Sequence, residues 1–319
     1  MIPTMRAVVF DGNLRLDVSY PHPVPDGEQA LLKLRLAGIC NTDMELMRGY
    51  MGFSGVLGHE FVAEVVQGAP EWLGRRVVGE INVTSGTCAM CDAGIPSQCF
   101  HRTTVGINGH QGAFSDYMAL KTVNLYAVPD TVSDEAAVFV EPLAAACQIL
   151  EATHVQPRER VVVVGAGKLG LLCAQVLRLT GADVSVIVRR DRPRQLLEKW
   201  GIKAVSRAEV ASKSADVVVD CTGTAEGFAE ALDVVRPRGR IVLKSTYASL
   251  PQADLTRVVI DEVQLIGSRC GPFAAALRLL DAGLIDVASM IDARYPLERV
   301  HEAFDHAQRD GTLKVLLAF

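Results

Sequence analysis

Apolar and polar positions alternate along the first part of the chain in the manner of β-strands. Within residues 30–36, three leucines alternate with Lys33 and Arg35, which is the period of a strand with one buried face. Residues 61–66 form a second apolar run of strand-forming side chains. Residues 1–125 are therefore predicted to be mostly β-structure.

The middle of the chain alternates strands with helices instead. Residues 161–164 predict a buried strand, the apolar segment that ends at Leu179 predicts a helix, and residues 184–188 predict a second strand. Further strands are predicted at residues 215–220, 240–243 and 263–266. Strands that alternate with helices form a parallel, doubly wound sheet, so the fold class is α/β.

A glycine-rich turn joins the first of these strands to its helix. Residues 165–170 read G-A-G-K-L-G, which fits G-x-G-x-x-G between a strand and a helix. The first glycine permits the tight turn, the second lets a pyrophosphate approach the backbone, and the third allows close helix packing. The helix N-terminus also favours phosphate, whereas the alternative is an ordinary strand-to-helix turn. The predicted cofactor-binding residues of this turn are Gly165, Gly167, Lys168, Leu169 and Gly170.

The end of the second strand bears on the choice of dinucleotide. An NAD site usually carries an acidic residue there for the ribose 2′-hydroxyl. This chain has Arg189 and Arg190, and guanidinium groups suit a 2′-phosphate. NADP is therefore predicted over NAD, and Asp191 keeps NAD open as the alternative. Because ligands of doubly wound sheets bind at the carboxyl ends of the strands, further cofactor-side candidates are Thr222, Lys244, Ser245 and Ser268.

Composition excludes several classes of protein. A length of 319 residues predicts two domains, and a formal net charge of -5 argues against a nucleic-acid-binding surface. No apolar run reaches the length of a membrane span, and the N-terminus lacks the features of a signal peptide. A cytoplasmic location is expected, with the eight cysteines reduced and available for metal or core packing.

Cys40 and the pair His59-Glu60 form a second constellation. A thiolate, an imidazole and a carboxylate are suitable zinc ligands, and both segments contain a glycine at a strand-to-loop junction. Thr42 and Asp43 follow Cys40 closely, where a proton-transfer group and a ligand-supporting group would be useful. The alternative is that these cysteine and histidine side chains are core residues.

The order of these motifs resembles one family. G-I-C-x-T-D, G-H-E, a cysteine-rich lobe, E-P-L-A and G-x-G-x-x-G occur in succession, as in the zinc-dependent medium-chain alcohol and polyol dehydrogenases. The resemblance covers nearly the whole chain. It implies a GroES-like catalytic domain from residues 1–125 and 285–319, and a Rossmann NAD(P)-binding domain from residues 126–284.

The resemblance also implies roles for individual residues. Cys40, His59 and either Glu60 or Glu141 would hold the catalytic zinc, and Thr42 would begin the proton relay. A carboxylate in the apolar surroundings of Glu141 is costly unless it is paired or metal-bound, which favours a place at the metal. Where some members carry a relay histidine, this chain has Glu45, so the outer end of the relay is open.

The cysteine-rich lobe departs from the family pattern C-x2-C-x2-C-x7-C of a structural zinc site. Cys88, Cys91 and Cys99 occupy the last three places, and Ser85 occupies the first. A serine hydroxyl stays protonated at neutral pH and is a poor zinc ligand. Three thiolates with a water, Asp92 or His101 could still hold zinc, or the lobe could have lost its metal.

The expected activity is zinc-dependent hydride transfer between NAD(P) and the hydroxyl, or corresponding carbonyl, of an alcohol, polyol or sugar. The alternatives are a zinc-free quinone or enoyl reductase on the same fold and a non-catalytic nucleotide-binding protein. The expected partners are a small-molecule substrate and further copies of the chain in a dimer or tetramer, with no nucleic acid or membrane.

Overall fold

The computed structural model describes residues 3–247 and 253–319. By its internal contacts the chain forms two compact units, one from the residues up to Glu141 together with Ala276–Phe319, the other from Pro142–Ala275. The domain boundaries predicted from the sequence, after residue 125 and before residue 285, are not tested by this division and stay a prediction. In the described part of the chain, no helix is both apolar enough and long enough to span a bilayer.

The strands of the described residues are numbered in chain order. They are β1 (Thr4–Phe10), β2 (Leu14–Pro21), β3 (Gln29–Gly38), β4 (Gly55–Val56), β5 (Glu60–Gln67), β6 (Arg76–Gly79), β7 (Asn82–Val83), β8 (Thr103–Val105), β9 (Gly109–His110), β10 (Tyr117–Lys121), β11 (Leu125–Ala127), β12 (Arg160–Val164), β13 (Asp183–Ile187), β14 (Lys203–Val205), β15 (Ala215–Asp220), β16 (Val235–Leu243), β17 (Gln264–Gly267), β18 (Ile291–Pro296) and β19 (Lys314–Ala318).

The α-helices are numbered in the same way. They are α1 (Asn41–Met47), α2 (Ala89–Asp92), α3 (Asp134–Ala137), α4 (Val140–Ala152), α5 (Lys168–Arg178), α6 (Asp191–Lys199), α7 (Ala225–Val234), α8 (Leu255–Ile260), α9 (Phe273–Asp281) and α10 (Val300–Ala307).

The first unit is built on a mixed sheet with the strand order β11-β6-β5-β3-β19-β18, in which β10 also pairs with β3. The alternating leucines of residues 30–36 lie in β3, where their side chains are buried while Lys33 and Arg35 face solvent. The C-terminal strand β19 pairs antiparallel with β3, with Leu316 opposite Gly38. The end of the chain therefore contributes to the sheet that begins in its first forty residues.

The second unit is a parallel sheet with the order β14-β13-β12-β15-β16-β17. Its valine-rich central strands pack against α7, whose Phe228 and Leu232 are buried beside Val162 and Val218. Strand order reverses between β12 and β15, which is where a doubly wound sheet binds its ligand. The predicted α/β class, with a mostly-β GroES-like region and a doubly wound sheet, is confirmed.

Candidate active site

Two neighbouring strands bring the predicted zinc ligands together. β3 and β5 pair antiparallel, and the register sets Gly38 opposite Glu60. Cys40 follows the end of β3 and immediately precedes α1, while His59 immediately precedes β5. The thiol, the imidazole and the carboxylate therefore meet at the same end of the strand pair.

The three side chains form a compact donor group. One ligand atom from each of Cys40, His59 and Glu60 lies within 4.8 Å of the others. His59 and Glu60 are buried, and Cys40 is half-buried. Zinc accepts this combination of sulfur, nitrogen and oxygen, and three protein ligands are what a catalytic site with one open position requires. The residues present therefore fit a catalytic zinc ion.

Asp43 supports two members of this group. Its Oδ2 accepts a hydrogen bond from the backbone N–H of Cys40 at 2.8 Å, and its Oδ1 lies 3.5 Å from His59 Nδ1. Among the described residues, Asp43 Oδ1 and His59 Nδ1 are buried without a hydrogen-bond partner. A zinc-bound histidine usually donates its other ring N–H to a carboxylate, so these two atoms match the arrangement that a metal on the far nitrogen would complete.

The electrostatics of the group favour a cation. Burial lowers the pKa of His59, but the nearby carboxylate of Asp43, together with Cys40, outweighs burial and raises this pKa well above its ordinary value. Surroundings that stabilise positive charge on the imidazole also stabilise a metal cation beside it.

Glu60 is held from the C-terminal strand. Lys314 of β19 is buried and forms an ion pair with Glu60 Oε2. A Cβ at Gly38 would stand 2.6 Å from Glu60 Oε2 and 2.8 Å from Val138 Cγ1, so a glycine is needed to leave room for the carboxylate. Sequence reasoning missed Lys314. Its signal was a lone lysine in the apolar run at residues 313–318, because a buried charge requires a partner.

Glu141 lies close to the donor group without joining it. Among the described residues, the group that shares a metal-sized space consists of Cys40, His59 and Glu60. Desolvation raises the pKa of Glu141 to about 7, with the charge of His59 lowering it and the charge of Glu60 raising it. The geometry therefore favours Glu60 over Glu141 as the third ligand.

Thr42 is placed at the thiol. Its Oγ1 accepts a hydrogen bond from Cys40 Sγ over 3.7 Å, so the hydroxyl lies at the edge of the donor group. Glu45, one turn further along α1, is paired with Arg48 at 2.6 Å. The residue at the position of the family's relay histidine is therefore engaged in a surface ion pair, and the outer end of the relay stays open.

The cysteine-rich lobe also gathers its ligands. Cys88 Sγ lies 3.6 Å from Cys91 Sγ and 3.7 Å from Cys99 Sγ. Ser85 Oγ lies 3.4 Å from Cys99 Sγ, at the place that the missing fourth cysteine would fill. Hydrogen bonds from Ser85 and the backbone N–H of His101 outweigh burial and lower the pKa of Cys99 to about 6. The lobe has kept its three sulfurs together, with surroundings that stabilise a thiolate at Cys99.

The glycine turn of the second unit has the three predicted features. Gly165 adopts a φ of +99°, a conformation that L side chains rarely adopt. A Cβ at Gly167 would meet no atom within 4 Å, so the space beside this backbone is open to a ligand. A Cβ at Gly170 would overlap the carbonyl oxygen of Gly165, so the close approach of α5 to the turn requires glycine. Lys168 and Leu169 form the first turn of α5.

The two arginines follow β13 at the carboxyl edge of the sheet. Arg189 is 78% exposed and pairs with Glu230 of α7 at 3.2 Å. Arg190 is exposed and precedes α6, whose first residue is Asp191. Both arginines therefore follow the end of β13, the strand end at which the ribose of a bound dinucleotide is expected. Sequence reasoning did not identify Glu230 as a partner of Arg189.

The remaining cofactor candidates are packed together at the same edge. Lys244 Nζ donates to the carbonyl of Ala145 at 2.6 Å and to Ser268 Oγ at 3.1 Å, so this buried lysine ties strand ends to α4. Thr222 Oγ1 donates to Asp220 at 2.7 Å. Ser245 packs against Gly223. These contacts shape the loops at the sheet edge, and a direct contact of each residue with cofactor stays a prediction.

The fold and the two sites together define a class of protein, the metal-dependent dehydrogenases. The model of the alcohol dehydrogenase GroES-like domain matches residues 26–130, and the model of the glucose dehydrogenase C-terminus matches residues 134–319. The chain belongs to the zinc-dependent medium-chain alcohol and polyol dehydrogenase family, which confirms the resemblance in its motifs.

Individual relatives cover almost the whole chain. It is 29% identical to 2-dehydro-3-deoxy-L-galactonate 5-dehydrogenase of Pseudoalteromonas atlantica, over 96% of each protein. It is 28% identical to sorbitol dehydrogenase of Halalkalibacterium halodurans, over 93% of each. A crystal structure of a Sinorhizobium meliloti protein described as a zinc-binding dehydrogenase, with NADP bound, superposes with a TM-score of 0.91 at 26% identity, covering 99% of this chain and 100% of that one.

Proposed function

We propose that the protein oxidises a secondary hydroxyl of a polyol or sugar acid with NADP as the preferred hydride acceptor, or reduces the corresponding carbonyl with NADPH as the hydride donor. The single observation that carries the proposal is the buried Cys40–His59–Glu60 group in a chain that also holds an open glycine turn for a dinucleotide. The names of relatives that act on galactonate derivatives and sorbitol support the substrate class.

In this proposal the chain's own residues place and deprotonate the substrate. Cys40, His59 and Glu60 would hold a zinc ion, which supplies a Lewis acid that lowers the pKa of a bound hydroxyl. Asp43 orients the first two of these ligands, and Lys314 orients the third. Thr42, whose hydroxyl lies at Cys40, begins the proton relay: it accepts a hydrogen bond from the substrate hydroxyl and passes its own proton on towards solvent. The hydride chemistry belongs to the nicotinamide, which the second unit would bind at its glycine turn.

The experiment is a spectrophotometric panel of alcohols, polyols and sugar acids with NADP and NAD, run beside elemental analysis. We expect turnover with at least one polyol or sugar acid and about one tightly held zinc per chain. Cys40→Ala and His59→Ala should abolish turnover while NADPH binding survives. Near wild-type rates in metal-free Cys40→Ala protein would contradict the zinc proposal and favour the zinc-free reductase.

We infer that the lobe around Cys88 holds its metal weakly, because three sulfurs and a serine hydroxyl lack the fourth thiolate of a closed structural site. Ser85→Cys should therefore raise the zinc content from about one to about two per chain after dialysis against a weak chelator. Thr87→Cys, a neighbouring exposed position in the same loop, is the matched control. A content of two in the unaltered protein would contradict this expectation.

We also propose that the chain assembles through the edge of its parallel sheet. The edge strand β17 is largely exposed, including Leu265. The adjacent helix α8 exposes Val259 and Ile260 at 75% and 73%. An apolar, unpaired strand edge of this kind favours pairing with a second copy.

A further inference from the structure

Two further cysteine sulfur atoms lie close together in the second unit, and neither belongs to the candidate metal groups. Cys173 of α5 and Cys221, which directly follows β15, have their Sγ atoms 3.9 Å apart. They are separated by 48 positions in the sequence, so only the fold brings them together. Both carry reduced thiols in the structure.

This pair packs against the dinucleotide turn. A Cβ at Gly170 would lie 3.5 Å from Cys221 Cβ, and a Cβ at Gly165 would lie 3.2 Å from the carbonyl carbon of Cys221. The backbone N–H of Cys221 donates to Val164 at 2.9 Å, at the end of the strand that leads into the turn. Because Cys221 packs beside both glycines and is hydrogen-bonded to the strand that enters the turn, a displacement of Cys221 is transmitted to the turn.

The two thiols differ in ways that suit oxidation. Cys221 is half-buried, whereas Cys173 is fully buried, so Cys221 is the thiol placed nearer to solvent. The hydrogen bond to Cys173 and burial raise the pKa of Cys221 well above its ordinary value. Burial acts against ionisation of Cys173 too, but the hydrogen bond from Cys221 and the charge of Lys244 lower its pKa below the ordinary value. The hydrogen bond between the two sulfurs lets one thiol stabilise a thiolate on the other, and a thiolate is the nucleophile in disulfide formation.

We propose that Cys173 and Cys221 are a reversible oxidation site whose disulfide weakens dinucleotide binding at the Gly165–Gly170 turn. The inference rests on the proposed function, since it assumes that the turn binds NADP. The sulfur atoms must approach by about 1.9 Å to reach an S–S bond of about 2.05 Å. This approach draws the loop after β15 towards α5 and changes the space that the pyrophosphate would enter.

The oxidant is a peroxide, and the reaction balances in two steps. Cys221 gives up its thiol proton as its sulfur attacks one peroxide oxygen and the O–O bond breaks. The departing hydroxide takes that proton and leaves as one water, and Cys221 becomes a sulfenic acid. The Cys173 thiolate then attacks the Cys221 sulfur, the S–O bond breaks, and hydroxide leaves to take up the remaining proton as a second water. The two thiols lose two electrons in total, and the peroxide gains them.

The test compares the full-length protein before and after hydrogen peroxide, with NADPH binding measured by fluorescence titration. Peptide mass spectrometry without reductant should reveal a Cys173–Cys221 crosslink that has lost two hydrogens. The dissociation constant for NADPH should rise about tenfold or more, within the range of ordinary coupling between sites, and dithiothreitol should restore it. Measuring binding rather than turnover keeps oxidation of Cys40 or the lobe cysteines out of the readout.

Cys173→Ala should form no crosslink and should keep its reduced-state affinity after peroxide, and Cys221→Ser should behave in the same way. Cys147→Ala, another buried cysteine of the same unit, should respond as the unaltered protein does. The inference is overturned if no crosslinked peptide forms, if the crosslink leaves NADPH affinity unchanged, or if Cys173→Ala loses affinity equally. Failure of the reduced protein to bind either nucleotide would instead overturn the proposed function, and the crosslinked peptide would still decide whether the disulfide forms.

Discussion

At the scale of single residues, the chemistry of the metal group depends on side chains that neutralise one another. Glu60 is buried, and its carboxylate faces both the donor group and the ammonium of Lys314. A buried charge that loses its partner is strongly destabilising, whereas a bound metal would provide a substitute positive charge. Lys314 therefore matters most when the metal is absent.

Lys314→Met tests this dependence, since it keeps the length of the side chain and removes the charge. We expect a loss of about 3–5 kcal/mol in the free energy of unfolding of the metal-free protein, and a smaller loss with zinc bound. Urea denaturation with and without chelator measures both. Lys33→Met, on the exposed face of β3, is the control and should have little effect in either state. Equal losses with and without zinc would show that Lys314 does not share the charge of the metal site.

We expect the arginines after β13 to decide the choice of dinucleotide. Replacing Arg189 and Arg190 by glutamine removes two donors that suit a 2′-phosphate, a group that NAD lacks. The KM for NADP should rise by at least about tenfold while the KM for NAD changes little, as expected for loss of charge-assisted hydrogen bonds. Arg238→Gln, an exposed arginine at the opposite end of the sheet, serves as the control. Equal effects on both cofactors would exclude a 2′-phosphate site.

The role of a residue could be predicted from the sequence where a local motif identifies it. It could not be predicted where it depends on the pairing of strands that are distant in the sequence. Cys40, His59 and Glu60 carry recognisable neighbours, and the structure gathers them. Lys314 lies 254 positions from Glu60, and only the pairing of β19 with β3 brings the two together. No spacing rule within one strand could have identified that partner.

At the scale of elements, two glycines of the turn between β12 and α5 are needed for different reasons. Gly167 leaves space for a ligand, whereas Gly170 leaves space for the protein itself. The consequences of adding one methyl group should therefore differ between positions three residues apart in the same motif.

Gly167→Ala should fold with near wild-type stability and bind NADPH at least about tenfold more weakly, because the methyl group enters the space that a pyrophosphate needs. Gly170→Ala should lower the melting temperature, because its methyl group would overlap the carbonyl of Gly165. Thermal melts and fluorescence titrations of both variants give the comparison. A lowered melting temperature of Gly167→Ala would contradict the role of Gly167 as space for a ligand. An unchanged melting temperature of Gly170→Ala would contradict the role of Gly170 in close packing.

The sequence predicted which strands and helices exist more accurately than it predicted the residues at which they begin and end. The strand at residues 161–164 and the helix after it are observed as β12 and α5. The strand predicted at residues 240–243 begins earlier, as β16 from Val235, and its register with β15 shifts between Val235 and Arg240. Pro237 and Gly239 lie in this irregular stretch, and irregularities of this kind are where strands tolerate both residue types.

At the scale of the whole molecule, the proposed assembly is argued from a strand edge that the described residues leave unpaired. β17 ends the parallel sheet, and its outer side has no partner strand among the described residues. Leu265 of this strand and the apolar side chains of α8 are exposed together. Natural proteins usually protect such an edge with charge or by pairing, so a second copy of the same edge is the occupant we favour.

Val259→Glu combined with Leu265→Lys places charges on the exposed helix and strand without disturbing buried side chains. Since each charge would have to be desolvated in an assembled edge, the variant should elute as a smaller species while its metal content and NADPH affinity remain those of the original. Light scattering coupled to size exclusion measures the mass. Val123→Glu, at an exposed valine of the first unit, should leave the mass of the assembly unchanged. If the edge variant keeps the original mass, assembly must use another surface. If the unaltered protein is itself monomeric, the exposed edge has no self-pairing role, and the apolar side chains of α8 require a different explanation.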